Sequence, residues 1–281
     1  MKLFTVLVLF MALSHASTAQ YYYKDVLVTK QAIAKCKAYR DNHVKSVKLL
    51  SFEADGQATE GFTCEQTVTS DFSEIATLTR SSLSAESYLL SYFDANGLLK
   101  KTVDTGDRYQ SISTYQFNAK GLLQSIANTS IQSTDNAMKE VELHQWQYDE
   151  NGKPLSMLKI KNNTDTTFIR FVMDEKGNVA EEHATRNKLN LPAIYYYYDE
   201  NGHVTDIVRY NAQAKRLLPD YVFEYDAKGN LGSMLTVPED SKGYQKWVYE
   251  YNDAGLRWRE SCFSKQKELL GKIEYQYNFK K

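Results

Sequence analysis

From Val44 to the C-terminus, apolar and polar residues alternate with a period of two, and the apolar set is rich in aromatics. Triplets at alternate positions recur: His144, Trp146 and Tyr148; Ile169, Phe171 and Met173; Ile194, Tyr196 and Tyr198. Tyr221, Phe223 and Tyr225 continue the series, then Trp247, Tyr249 and Tyr251, then Ile273, Tyr275 and Tyr277. Residues two apart on a strand share a face, so these rows predict one aromatic face and one polar face. Gln20–Asn42 breaks the pattern. Ile33, Cys36 and Tyr39 recur there at helical spacing, and Thr29 is a candidate cap, which predicts a helix of about three turns.

Each aromatic triplet ends at a turn of the form Asp/Asn-x-x-Gly. The copies are Asp94 to Gly97, Asn118 to Gly121, Asp149 to Gly152, Asp174 to Gly177, Asp199 to Gly202, Asp226 to Gly229 and Asn252 to Gly255. Their glycines stand 24, 31, 25, 25, 27 and 26 residues apart, a nearly fixed period that marks a repeat architecture. The first residue suits a side chain that accepts backbone amide hydrogens, and Gly supplies the left-handed residue of a type I turn with a bulge. A degenerate copy is read at Phe52-Glu53-Ala54-Asp55-Gly56, and a truncated one begins at Tyr277-Asn278.

Two strands per repeat predict an all-β fold: one long, curved, open antiparallel sheet of β-hairpins with a short N-terminal helix. The expected divisions are a leader at 1–19, a helical segment at 20–43 and the repeat sheet at 44–281, irregular over 44–92 and regular from 93. The motif Phe223-Glu224-Tyr225-Asp226-Ala227-Lys228-Gly229-Asn230-Leu231 resembles the YD (RHS) repeat of bacterial cell-surface and toxin proteins, over roughly residues 88–281. The resemblance implies hairpins joined in a continuous spiralling sheet.

Composition narrows the class. Among 281 residues, Tyr is frequent at 21 and Pro scarce at 4, which suits strands. Net charge is −1 with both signs interspersed, so nucleic acid is not an expected partner. Lys2, the apolar run Leu3–Leu13 and the small residues Ser17 and Ala19 read as a secretory leader, with no later transmembrane helix. The expected location is therefore the periplasm, the cell surface or the medium. In an oxidising compartment Cys36 and Cys64 are the candidate disulfide pair, with packed, unpaired thiols as the alternative.

No catalytic or metal-binding constellation stands out, and no cofactor is expected. His43, His144, His183 and His203 lack metal-ligand spacing, and the nucleophile and phosphate-loop motifs are missing. A non-enzymatic scaffold binding a protein or peptide is the leading expectation. A glycan-binding surface is the second, and an outer-membrane barrel the third. The candidate binding residues are Trp146, Phe171, Tyr196, Tyr221, Phe223, Trp247, Tyr249 and Tyr275 on the aromatic face. About sixteen strands at ~4.8 Å spacing span roughly 75 Å, far more than a three-turn helix covers, so the rest of that face is either hidden by curling of the sheet or open to a partner. The strand near Tyr277 was expected to form an open edge suited to strand addition.

Overall fold

The computed structural model describes residues 21–280 apart from 83, 133–137, 213 and 238–242. The predicted leader lies outside the described residues. After helix α1 (Lys24–Asp41) come β1 (Val44–Glu53), β2 (Thr63–Val68), β3 (Glu74–Ser81), β4 (Ser84–Phe93) and β5 (Leu99–Thr105). Then follow β6 (Tyr109–Phe117), β7 (Leu123–Gln132), β8 (Met138–Tyr148), β9 (Pro154–Lys161) and β10 (Asp165–Met173). β11 (Val179–Arg186), β12 (Leu189–Asn190), β13 (Ile194–Tyr198), β14 (Val204–Asn211) and β15 (Arg216–Tyr225) continue the meander. β16 (Leu231–Thr236), β17 (Gln245–Tyr251), β18 (Arg257–Phe263) and β19 (Leu269–Phe279) complete it.

The sheet is closed, which corrects the expectation of an open one. β1 pairs antiparallel with β2 on one side and with β19 on the other, so the first and last strands meet. β12 and β13 both pair with β11 and act as one interrupted strand, so the nineteen elements occupy eighteen positions around a barrel. The open edge predicted near Tyr277 does not exist, because Tyr277 lies opposite Val47 in the closing pair.

Closure has a local cause. Register shifts fall between Tyr92 and Phe93, Gln116 and Phe117, Gln147 and Tyr148, and Val172 and Met173. They recur between Tyr197 and Tyr198, Glu224 and Tyr225, and Glu250 and Tyr251. In each, the unopposed residue, such as Ala180 or Thr205, lies just after an Asp/Asn-x-x-Gly turn. A bulge bends its strand and adds twist, and the same bulge repeated along one rim curls the sheet until its ends meet.

Those turns line one end of the barrel, called here the turn rim. In each, the glycine amide donates to the carbonyl of the opening Asp or Asn, as in Gly97 to Asp94 at 2.9 Å and Gly229 to Asp226 at 3.0 Å. The opening side chain accepts from the amides two and four residues on, as Asp226 does from Lys228 and Asn230 at 2.8 Å each. The Asp55-Gly56 copy lies at the other end, the return rim, since β1 runs away from the turn rim. In its place on the turn rim stands the loop Thr69–Ser73, where Asp71 accepts from the Ser73 amide at 3.1 Å.

α1 lies inside the barrel. It and the residues just before it meet β2, β8, β11 and β19, which are distributed around the ring, and only an interior segment can reach them all. At 18 residues it is longer than predicted, and Thr29 is buried within it rather than capping it. Val28, Gln31, Ala34 and Lys37 form a face exposed to water.

Candidate functional site: the aromatic lumen and its helix

The aromatic rows point inward. Trp146, Phe171, Tyr196, Trp247 and Tyr249 are buried, and Tyr221, Phe223 and Tyr275 are half-buried. The first part of α1 covers one group of them. Tyr23 meets Tyr196 edge-on at 5.6 Å and lies 6.1 Å from Phe171, which stacks on Trp146 at 5.2 Å. Tyr21 meets Tyr196 and Tyr221 edge-on, and Phe223 stacks on Tyr221. The end of α1 covers a second group, in which Cys36 and Tyr39 pack with Val47, Cys64, Ile75, Leu256 and Ile273. Trp247, Tyr249 and Cys262 form a third, smaller cluster.

Polar anchors fix the helix to the wall, and sequence reasoning missed most of them. Glu182 is 1% exposed and accepts from the amides of Tyr22 and Tyr23 at 2.9 Å and from the Tyr196 hydroxyl at 2.7 Å. The N-cap, Tyr23, offers no side-chain acceptor, so a barrel carboxylate does the capping instead. Burial pushes the Glu182 carboxyl up, although these donors oppose the shift. Its sequence signal was confined to a Glu on an inward strand position.

One turn along, Asp25 lies 2.6 Å from His144 Nδ1 and accepts from Trp146 Nε1 at 3.3 Å. Glu142 takes the other imidazole nitrogen at 2.8 Å and Lys159 at 2.7 Å. Burial pulls the His144 imidazole down, but the flanking carboxylates of Asp25 and Glu142 outweigh it and raise it to about 9. Glu142 is raised by burial and lowered more by His144 and Lys159, ending at about 2. With its two ring nitrogens engaged by Asp25 of α1 and Glu142 of β8, this histidine ties the helix to the wall. At the far end the Tyr39 hydroxyl donates to Gln66 at 2.7 Å. Lys35 is lowered to about 8 by burial and by Arg257, whose guanidinium lies 4.3 Å from the Tyr249 ring centre.

Cys36 and Cys64 are not bridged. The Cys36 thiol points to the Phe72 carbonyl at 3.6 Å, while Cys64 accepts from the Thr79 hydroxyl at 3.5 Å. Burial raises both thiols. The turn residues Asp94, Asp149, Asp174, Asp199 and Asp226 serve backbone amides, and Gly97, Gly121, Gly152, Gly177, Gly202, Gly229 and Gly255 all have positive φ. Among the described residues no group of His, Cys, Asp and Glu could hold a metal ion.

No protein-family model matches the sequence, and neither does any curated protein. Among solved structures, the chain is similar to part of a TcdB2-TccC3-Cdc42 complex at 15% identity and a TM-score of 0.34, covering 77% of this chain but 12% of that one. It is also similar to porin-like proteins from Bacteroides uniformis and Bacteroides vulgatus. For the first, identity is 9%, coverage 84% of this chain and 98% of the other, and the TM-score 0.41; for the second, the values are 13%, 84%, 99% and 0.30.

Proposed function

We propose that the chain is an exported, non-enzymatic envelope barrel that works in water, with its lumen occupied by its own N-terminal helix. The observation that carries this reading is the buried Glu182 carboxylate capping α1, because it commits the aromatic face to the helix rather than to a ligand. A protein or peptide partner, with a glycan as the second choice, would then meet the outer wall and the rims. Trp146, Tyr196, Trp247 and Tyr249 are buried in the lumen, which weighs against a glycan stacking on them.

An outer-membrane barrel is the second reading, favoured by closure into an antiparallel ring with an even number of positions. A lipid-facing wall must be apolar along its middle. Here the outward positions carry cross-strand ion pairs, Glu224 with Lys246 at 2.9 Å and Glu250 with Arg259, and place Arg170 opposite His183. Charge on that scale belongs in water. The test is fractionation of cells exporting the chain: recovery in detergent-free, high-salt buffer is expected, and recovery in detergent alone would overturn the reading in favour of the membrane barrel.

A further inference from the structure

The two ends of the barrel differ in chemistry. The seven turns of the turn rim are polar, built from Asp, Asn, Glu, Lys, Ala and Gly, with Leu155, Trp258 and Phe279 exposed singly on the strands beside them. The return rim carries exposed apolar side chains along the arc from β6 to β15. Met138 and Leu189 are 70% exposed, Tyr210 is 54%, and Tyr109, Leu217 and Leu191 are also exposed. Tyr210 and Leu217 face each other across the β14–β15 pair, so at least these two form a joint patch.

Cations are interleaved with these residues. Lys139 follows Met138, Lys188 precedes Leu189, and Lys215 and Arg216 precede Leu217; all four are exposed. Of the described acids along the arc, Asp107 pairs with Arg108, Glu140 with Lys161 and Asp165 with Arg186, while Asp104 beside its start accepts from the Tyr109 hydroxyl. None of the four interleaved cations has an ion-pair partner among the described residues, so the described residues of the arc carry net positive charge. Lys188 and Lys215 have positive φ and lie in the connections between β11 and β12 and between β14 and β15, on the return rim.

Alternating apolar and basic side chains on a convex edge match the boundary of an anionic bilayer. Aliphatic and aromatic groups enter the headgroup region, while Lys and Arg stems lie along it with their charges at the phosphates. We propose that the return rim, over the arc from Tyr109 to Leu217, docks the barrel onto an anionic lipid surface. Charge complementarity selects lipid. A neutral glycan would leave the four cations unmatched, and a protein partner becomes an outcome of the test.

This inference rests on the water-exposed wall of the proposed function, and the two fail differently. Purified chain, prepared without detergent, is floated with vesicles of phosphatidylcholine alone or with 30% phosphatidylglycerol. Binding to the anionic vesicles, lost in high salt, is expected, with little binding to the neutral ones. Each basic residue near such a surface contributes about fivefold, so K188Q with K215Q should weaken binding roughly thirtyfold. L189S with L217S should weaken it as well, while circular dichroism of both pairs stays native. Equal flotation with neutral vesicles, no flotation, or variants that bind unchanged would each overturn the rim assignment. A chain that needs detergent to leave the cell would overturn the proposed function instead.

Discussion

The Tyr198 hydroxyl donates to the Val179 carbonyl at 2.8 Å, two residues past the glycine of the preceding turn. The same bond recurs at Tyr148 to Leu123, Tyr225 to Val204, Tyr251 to Leu231 and Tyr277 to Arg257. Each tyrosine of the Tyr-Asp/Asn-x-x-Gly motif therefore ties its own repeat to the one before. Phe93, Phe117 and Met173 occupy the corresponding places without a hydroxyl. The ladder explains why tyrosine, rather than phenylalanine, dominates this row: the ring packs inward and the hydroxyl donates to a carbonyl beside the bulge.

Replacing Tyr198 with Phe keeps the ring and leaves the Val179 carbonyl without this donor. A loss of about 1 kcal/mol in unfolding free energy is expected from urea titration. F117Y is the counterpart, adding a hydroxyl where the ladder has none. If Y198F unfolds at the wild-type midpoint, the bond is not a stabilising link between repeats.

Much of the barrel was legible at the level of single repeats. Alternation located the regular strands, and Asp-x-x-Gly gave both the turn and its bulge. Closure is not legible in any single repeat, because it arises from the bends at seven bulges acting together, although Gly97 to Gly255 spell out every turn. The short strand β2 and its loop at Asp71 lack the motif, so their place on the turn rim could not be read, and Asp55-Gly56 was assigned there instead. The lumen was half legible: Trp146, Phe171 and Tyr196 were placed on one face, but what covers them was not. Glu182 and Asp25 meet their partners across 160 and 119 residues, a distance no local pattern reports.

Gly121 tests the turn chemistry without packing effects. Its φ is +73° and a Cβ there would touch nothing within 4 Å, so G121A introduces backbone strain alone. A cost of about 1 kcal/mol is expected from thermal or urea unfolding. A variant as stable as the parent would show that the rim relaxes freely around this turn.

His144 sets a pH dependence. Its folded value of about 9 lies above the ordinary 6.5, so its contribution is fully present below pH 6.5 and is lost as pH rises through 9. Glu142 acts in the opposite sense: its folded value of about 2 lies below 4.5, so its contribution is lost as pH falls from 4.5 toward 2. Between pH 6.5 and 7, Lys35 remains largely protonated both folded and unfolded, which leaves the slope to the histidine; nearer pH 8 the folded lysine begins to lose its proton and opposes it. Unfolding free energy should fall across that window in the parent and change much less in H144Q. Parallel slopes would assign the pH dependence to another group.

The cysteines give a direct chemical readout. Cys36, Cys64 and Cys262 are buried, and burial raises the Cys262 thiol to about 11. Thiolates are the reactive species, so folded protein should react slowly with a disulfide reagent and denatured protein should release three equivalents. One equivalent after denaturation without reductant would restore the Cys36–Cys64 bridge.

Removing the helix tests its place in the fold. Tyr21, Tyr22, Val26, Cys36 and Tyr39 are buried in the lumen, and at ~2 kcal/mol each their loss amounts to roughly 10 kcal/mol, comparable to the whole stability of a typical domain. The deletion also strips cover from Phe171, Tyr196 and Tyr221 and leaves Glu182 without its two amide donors. A chain lacking residues 20–42 should therefore bind a hydrophobic dye and unfold without a sharp transition. A synthetic peptide of residues 20–42 should restore cooperativity, and E182A in the wall should weaken that rescue, because the carboxylate caps the peptide's first turn. A deleted chain that unfolds cooperatively and takes up no dye would show that the strands close the barrel unaided.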